Sequence, residues 1–381
     1  MASQNLIGTV HARTARPSGL AEGKARSAAA GRSRYSREFV QQTSSRDLRY
    51  VRRGAVTKLA NWLFHESGRS SFDAVSYCGR ALGAEVSIKS DGAAAWASGV
   101  VHCGRVWLCP VCAAKIKARR AVELEKACDA HASLGGSFSM VTTTARHDRS
   151  MSLQEVRGAV ASSWRKVQRR KSWREIRGLL DGQVVAPEVT VGDNGWHPHV
   201  HVLLFVKSEA KRKDLDELLP AFVDDWRELV NDSLGSMPSV QRAVDLLHFG
   251  SDAVAAAAGY LSKTAKELTA GDLKSGRDPF SLLDGVAQGD AESIARWIEY
   301  ADAMKGVQSL SWSKGLRARL GLDVELTDEE VALLDEQAGV EVARVSAERW
   351  NLLLRECRAH ELLREVESRI AASGLAPPLV T

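Results

Sequence analysis

The sequence predicts an α+β fold: a central antiparallel sheet flanked by helices, a small cysteine-rich module ahead of it and a helical tail behind. Three observations carry this. Phe138-Ser139-Met140-Val141-Thr142-Thr143-Thr144 is rich in β-branched residues and reads as a strand. Val184–Val191 and His199–Val206 read as a hairpin across Gly192-Asp193-Asn194-Gly195, with a loop longer than two residues. Four of the six cysteines crowd into residues 78–112, which fits metal binding in a reducing compartment better than a disulfide framework.

Residues 1–53 carry 11 basic and 3 acidic residues with no sustained periodicity, and read as a flexible basic arm. Residues 54–128 hold the cysteines as an accessory region, and Gly135-Gly136 then punctuates the chain. A main domain is expected over 129–322. After its first strand, Leu153, Val156, Val160, Trp164 and Val167 recur at spacings of three and four, predicting a helix from Leu153 to Leu180. Beyond the hairpin a helix is expected over Leu215–Leu234, a strand over Ser239–Phe249 and a helix over Ala253–Leu268. The tail, 323–381, opens on the capping box Thr327-Asp328-Glu329-Glu330 and is expected to end in one long helix near Ala371.

Hydrophobic residues make up 44% of the 381 and charged residues 26%, which argues against a disordered, collagenous or membrane-embedded chain. No stretch approaches the roughly 20 apolar residues of a membrane helix. No apolar core follows the charged start, so a secretory signal is not expected and a cytoplasmic location is. The net charge of +5 hides an asymmetry. From Asp323 onward 13 acidic residues face 6 basic ones, a net of −7 that leaves +12 on the body. A basic body points to a polyanionic partner.

The strongest chemical signal is His197-Pro198-His199-Val200-His201: three of the ten histidines fall within five residues. On a strand, alternate residues share a face, so His199 and His201 point the same way about 6.6–7 Å apart, close enough to converge on one divalent cation. Glu188, across the hairpin, is placed to be a third ligand. The same triplet also fits the motif of histidine-triad nucleotide hydrolases, so a nucleophile elsewhere must decide. Tyr260 in Gly259-Tyr260-Leu261-Ser262-Lys263 is the candidate. Lys263, three residues on, shares its helix face, and a nearby ammonium favours the phenolate.

Cys109-Pro110-Val111-Cys112 is a knuckle, with Cys103 six residues before it and Cys78 further upstream. Four thiolates make a closed tetrahedral structural Zn²⁺ site, with His102 able to replace one. A redox pair is the rival. The two extra cysteines and the basic run Lys115, Lys117, Arg119 and Arg120 favour zinc beside nucleic acid. Arg165, Lys166, Arg169, Arg170 and Lys171, near Trp164 and Trp173, form a candidate DNA-binding set of phosphate-contacting cations and stacking rings. Lys314, Arg317 and Arg319 form a second cluster after Trp312.

Taken in order, the run 138–144, Gly195 to Leu204 and Gly259 to Lys263 resemble the three motifs of plasmid rolling-circle replication initiators. These belong to the HUH (His-hydrophobic-His) endonuclease superfamily, and the chain is closer to their single-tyrosine type. Trp297-Ile298-Glu299-Tyr300 and Leu310 to Leu316 are also similar. The resemblance, over about 75–322, implies an HUH-type antiparallel sheet with the Tyr260 helix packed across it. It implies that His199 and His201 hold Mg²⁺ or Mn²⁺ with Glu188 or His197, and that Tyr260 nicks one DNA strand and stays on the 5′ phosphate. Lys263 then stabilises phenolate or phosphate. Single-stranded or hairpin origin DNA, a host helicase and a polymerase are the implied partners, and the long C-terminal helix offers a homodimer surface. Some relatives place a Glu one helical turn before the tyrosine, whereas here that position is Ala256, and the nearest upstream acid is Asp252. A relaxase or transposase would share the chemistry, and a non-catalytic zinc-containing DNA-binding regulator is the non-enzyme alternative.

Overall fold

The computed structural model describes residues 45–67, 73–249, 277–334 and 339–373. Their strands are β1 (Glu85–Ser90), β2 (Ala95–Ser98), β3 (Ser137–Thr144), β4 (Leu180–Gly192), β5 (Gly195–Val206), β6 (Val244–His248), β7 (Ser311–Trp312) and β8 (Val340–Ser346). Five of them form an antiparallel sheet in the order β6-β3-β5-β4-β7, and the others a three-stranded sheet β2-β1-β8. The main helices are α1 (Ser45–Ser67), α2 (Pro110–Ser133), α3 (Leu153–Val167), α4 (Lys171–Gly178) and α5 (Arg212–Leu234). Later come α6 (Ala291–Ala303), α7 (Ala347–Arg355) and α8 (Ala359–Ser373). Among the described residues no helix is long and apolar enough to cross a membrane.

The expected strands form, and the histidine strand β5 is central, paired with β3 on one side and β4 on the other. The β4–β5 hairpin is tighter than expected. Gly192 pairs with Gly195, so only Asp193 and Asn194 make the turn. Gly195 has φ +90°, and a Cβ there would lie 3.2 Å from the Arg149 Cα and 3.3 Å from the Asp148 carbonyl oxygen. Only glycine suits both the left-handed backbone and the close approach.

The period-two alternation of β5 divides the domain. Val200, Val202, Leu204 and Val206 face α3, α4 and α5, packing on Val160, Trp164, Trp173, Phe222 and Trp226. Leu203 and Phe205 face the other way, onto Leu124, Ala127 and Cys128 of α2. There the His131 Nε2 lies 3.0 Å from the Val206 carbonyl oxygen. Gly136 allows this, because a Cβ would come within 2.1 Å of that same nitrogen.

Several expectations need correction. Residues 45–53 belong to a packed helix, with Val51 and Arg53 buried, instead of a flexible arm; residues 1–44 lie outside those described. The helix expected from Leu153 to Leu180 is two, α3 and α4, and the segment from Ser239 begins with a helical turn before β6. The capping box at Thr327 forms as read, with Glu330 as its acidic member. The tail is helical over α7 and α8, yet it is not one long helix. Val340-Glu341-Val342-Ala343-Arg344-Val345 alternates as a strand, and β8 adds to β1. Cys357 then breaks the following helix in the left-handed region at φ 60°.

The tail therefore closes a core of its own with Val86, Ile88, Trp350, Leu354 and Leu363. The Trp350 indole, 1% exposed, donates 2.8 Å to the Gly79 carbonyl. Trp350→Ala should cost about 3–5 kcal/mol through the cavity left behind. Chemical denaturation would measure it, and a loss below about 1 kcal/mol would mean that the tail is not integral to the fold.

Candidate functional site

Antiparallel pairing sets Thr142 opposite His201 and Thr144 opposite His199 on one side, and Glu188 opposite His199 on the other. Paired residues share a face, so all five side chains project from the same side of the sheet. The Glu188 Oε2 lies 2.6 Å from the His201 Nε2 and 3.6 Å from the His199 Nδ1. Each of the three side chains is less than a fifth exposed. One ligand atom from each lies within 4.8 Å of the others, so the group could hold a divalent cation. The Thr142 hydroxyl, 3.0 Å from the His201 Nδ1, fixes that ring and leaves Nε2 to the site. Burial works against charge on Glu188, but contacts with His199 and His201 hold its carboxyl well below the usual range.

The third histidine does something else. His197 lies outside the ligand group and packs on His147, with ring nitrogens 3.1 Å apart. Burial, then the neighbouring His199 and His147, push its pKa down to about 3. Trp196 fixes the hairpin from the far side: its indole donates 2.8 Å to Glu299, which also accepts from the Leu153 amide.

The four cysteines come from three places. Cys78 follows the helical turn Asp73–Tyr77, Cys103 lies in the loop beyond β2, and Cys109 and Cys112 start α2. All are buried. The Cys78 sulfur lies 3.6 Å from Cys109 and 3.5 Å from Cys112, and Cys103 lies 3.7 Å from Cys112. Tetrahedral bonds of about 2.3 Å require sulfurs about 3.8 Å apart, so the set fits one metal ion with no position open. The Cys103 sulfur and burial push the Cys109 thiol up, a crowding that a cation would relieve. His102 stays outside this group and lies against Lys115.

The expected DNA-binding residues divide. Arg165, Lys166 and Arg169 are exposed, but α3 covers the sheet face opposite the histidines. Arg170 lies 3.6 Å from Glu228 and Lys171 3.6 Å from Glu175. Trp164 and Trp173 stack edge-on, 5.0 Å apart, within the core. Lys314 is exposed, whereas Arg317 is held 2.5 Å from Glu123 and donates to the Asp323 carbonyl. Tyr260 and Lys263, with Asp252 and Ala256, lie outside the described residues. The described chain stops at Phe249, whose amide donates to Phe138, and resumes at Arg277, which pairs with Val191 on β4.

Two further residues lie near the site: Asp278, which the sequence did not single out, and Lys117, which it marked only as one cation of the basic run after the cysteines. Lys117, on α2 five residues past Cys112, sits over the Trp107 ring and interacts electrostatically with Asp278 and Glu188. Burial pushes the Asp278 carboxyl up to about 6 against the pull of Lys117. The helical period Cys112, Ile116, Arg120, Leu124 could have placed Lys117 beside a buried stripe.

Residues 98–237 match the family described as "Replication protein", Rep_1, a span that includes Cys103, Cys109, Cys112 and strands β3 to β5. A Streptomyces lividans chain named "Protein rep" is 28% identical, covering 71% of this chain and 76% of its own. A Streptomyces cyanogenus chain named "Neomycin resistance protein" is 33% identical over 35% of this chain and 39% of its own length. No solved structure matches.

Elemental analysis of the purified protein should find one tightly held metal ion per chain that Cys109→Ser removes; retention in the variant would refute the four-sulfur site. Asp278 predicts a pH effect. Its folded value, about 6, lies above the ordinary carboxylate value of 3.8. The protonated group therefore adds stability below about pH 4, lost as pH rises through about 6. Asp278→Asn keeps an acceptor for the Phe280 amide. Its melting temperature should rise relative to the parent between pH 4 and 6, and a constant difference would refute the shift.

Proposed function

We propose that the protein nicks one DNA strand at a plasmid origin to start rolling-circle replication, a reading supported by the match of residues 98–237 to the replication-protein family. The observation that carries this reading is the Glu188–His199–His201 group across β4 and the central strand β5, with Thr142 of β3 behind it. These three side chains would hold Mg²⁺ or Mn²⁺, and the ion would polarise the scissile phosphate and neutralise charge in the transition state. The Tyr260 oxygen, its proton lost, attacks the phosphorus in line. The bond to the 3′ oxygen breaks, the leaving oxygen takes up a proton as a free 3′ hydroxyl, and the 5′ phosphate stays on Tyr260. Lys263 favours the phenolate.

The four-cysteine site takes Zn²⁺ in this reading and is structural, since a closed set of four thiolates leaves no position for substrate. Single-stranded or hairpin origin DNA is the substrate. A host helicase and polymerase would use the free 3′ end. The homodimer expectation loses its support, because α8 packs on β2 and α1 of its own chain and buries Leu363 and Val366.

A labelled single-stranded oligonucleotide carrying the origin hairpin, incubated with Mn²⁺ and run on a denaturing gel, tests the reading. A protein-linked 5′ end should form, vanish in Tyr260→Phe and slow at least about 100-fold in His201→Ala. An adduct that survives Tyr260→Phe would overturn the assignment. Binding without any adduct would favour a zinc-containing regulator.

A further inference from the structure

Beyond the hairpin end of the histidine row, the structure has a cavity of about 430 Å³. Thr144, His147 and His197 form its floor, the turn at 192–195 one wall, and Arg146 and Arg242 line it as well. Its size lies within the roughly 300–1,000 Å³ of small-ligand pockets. Thr144 pairs with His199, so floor and metal group share one surface. His197 precedes His199 by one same-face step, about 7 Å along the strand. Arg146 and Arg242 are exposed and make no ion pair among the described residues. The one carboxylate on the lining, Asp193, is exposed on the turn and pairs with neither.

We infer that this cavity is a nucleotide subsite, taking one unpaired nucleotide of single-stranded DNA next to the scissile phosphate. Arg146 and Arg242 take the phosphate of that nucleotide, as unpaired guanidinium groups do. The His147–His197 pair offers ring faces and edge nitrogens to its base. This gives the third histidine of the row a role that its absence from the ligand group leaves open. The inference rests on the nicking reading for its substrate and deepens it by stating where the flanking nucleotide goes.

The test uses the full-length protein and a series of origin oligonucleotides, each abasic at one position around the nick. Fluorescence anisotropy measures binding and the denaturing gel measures adduct formation. Wild type should lose about tenfold in affinity at one position adjoining the nick and far less elsewhere. The double variant Arg146→Ala/Arg242→Ala should bind the intact strand about tenfold more weakly, be indifferent to that abasic position, and show a salt slope shallower by about 1.4. Both side chains are exposed, so folding is not at stake, and retained melting temperature confirms it. Equal losses at every abasic position, or wild-type binding by the double variant, would overturn the subsite. If wild type forms no adduct, the nicking reading fails, while anisotropy still decides the subsite.

Discussion

Strand β5 must serve two environments at once, and its side-chain alternation is the constraint on which the rest of the structure depends. On one face Val200, Val202, Leu204 and Val206 lie in an apolar core under three helices. On the other, His197, His199 and His201 continue into Leu203 and Phe205. A slip of one residue would exchange these sets, burying imidazoles among tryptophans and exposing valines. The pairing on both sides, with twelve partners to β4 and eight to β3, makes that slip costly. The ligand geometry is therefore a by-product of the core: register chosen by valines places Glu188 and Thr142 beside the histidines.

Helix α2 couples the two candidate metal sites. It begins with Cys109 at its cap and Pro110 at its first position, a start that needs no amide from that residue. Its buried stripe passes through Cys112, Ile116, Leu124 and Cys128 before His131 meets the end of β5. Between these anchors Lys117 is carried towards Glu188 and Asp278. Metal bound by the cysteines would thus fix the start of the element whose far half roofs the sheet beside the histidines. A redox pair needs only two of the four sulfurs and would explain neither their mutual 3.5–3.7 Å spacing nor their common burial.

Local patterns made the hairpin and the Glu188–His199–His201 group legible, because period-two alternation and cross-strand pairing are nearly local. The cysteine set was legible for the same reason, through its knuckle. What sequence alone missed depends on distant partners. Strand β8 has an alternating pattern, but its place beside β1 is fixed by residues some 250 positions earlier. The basic stretch at 165–171 drew attention by charge. Charge says nothing about which sheet face a helix covers, and the buried Val156, Val160 and Trp164 decide that. Arg146 and Arg242 escaped notice because isolated arginines carry no signal until the fold sets them on one cavity.

The charge asymmetry has a different meaning once the chain is folded. A net −7 tail beside a +12 body first reads as a basic surface for a polyanion plus a solvated appendage. In the fold, tail acids are spent on body arginines: Asp328 lies 3.1 Å from Arg120, Glu329 3.1 Å from Arg105, and Glu367 pairs with Arg46. In the reverse sense, tail Arg364 lies 3.2 Å from the buried Asp47. Part of the body's positive charge is thus neutralised inside the protein and cannot meet DNA. The cations that remain unpaired and exposed carry the polyanion argument. Among the described residues, Arg146 and Arg242 are two such cations that line the cavity next to the histidine row, so under the proposed nicking reading the attraction for DNA and the chemistry would coincide at the hairpin end of the sheet.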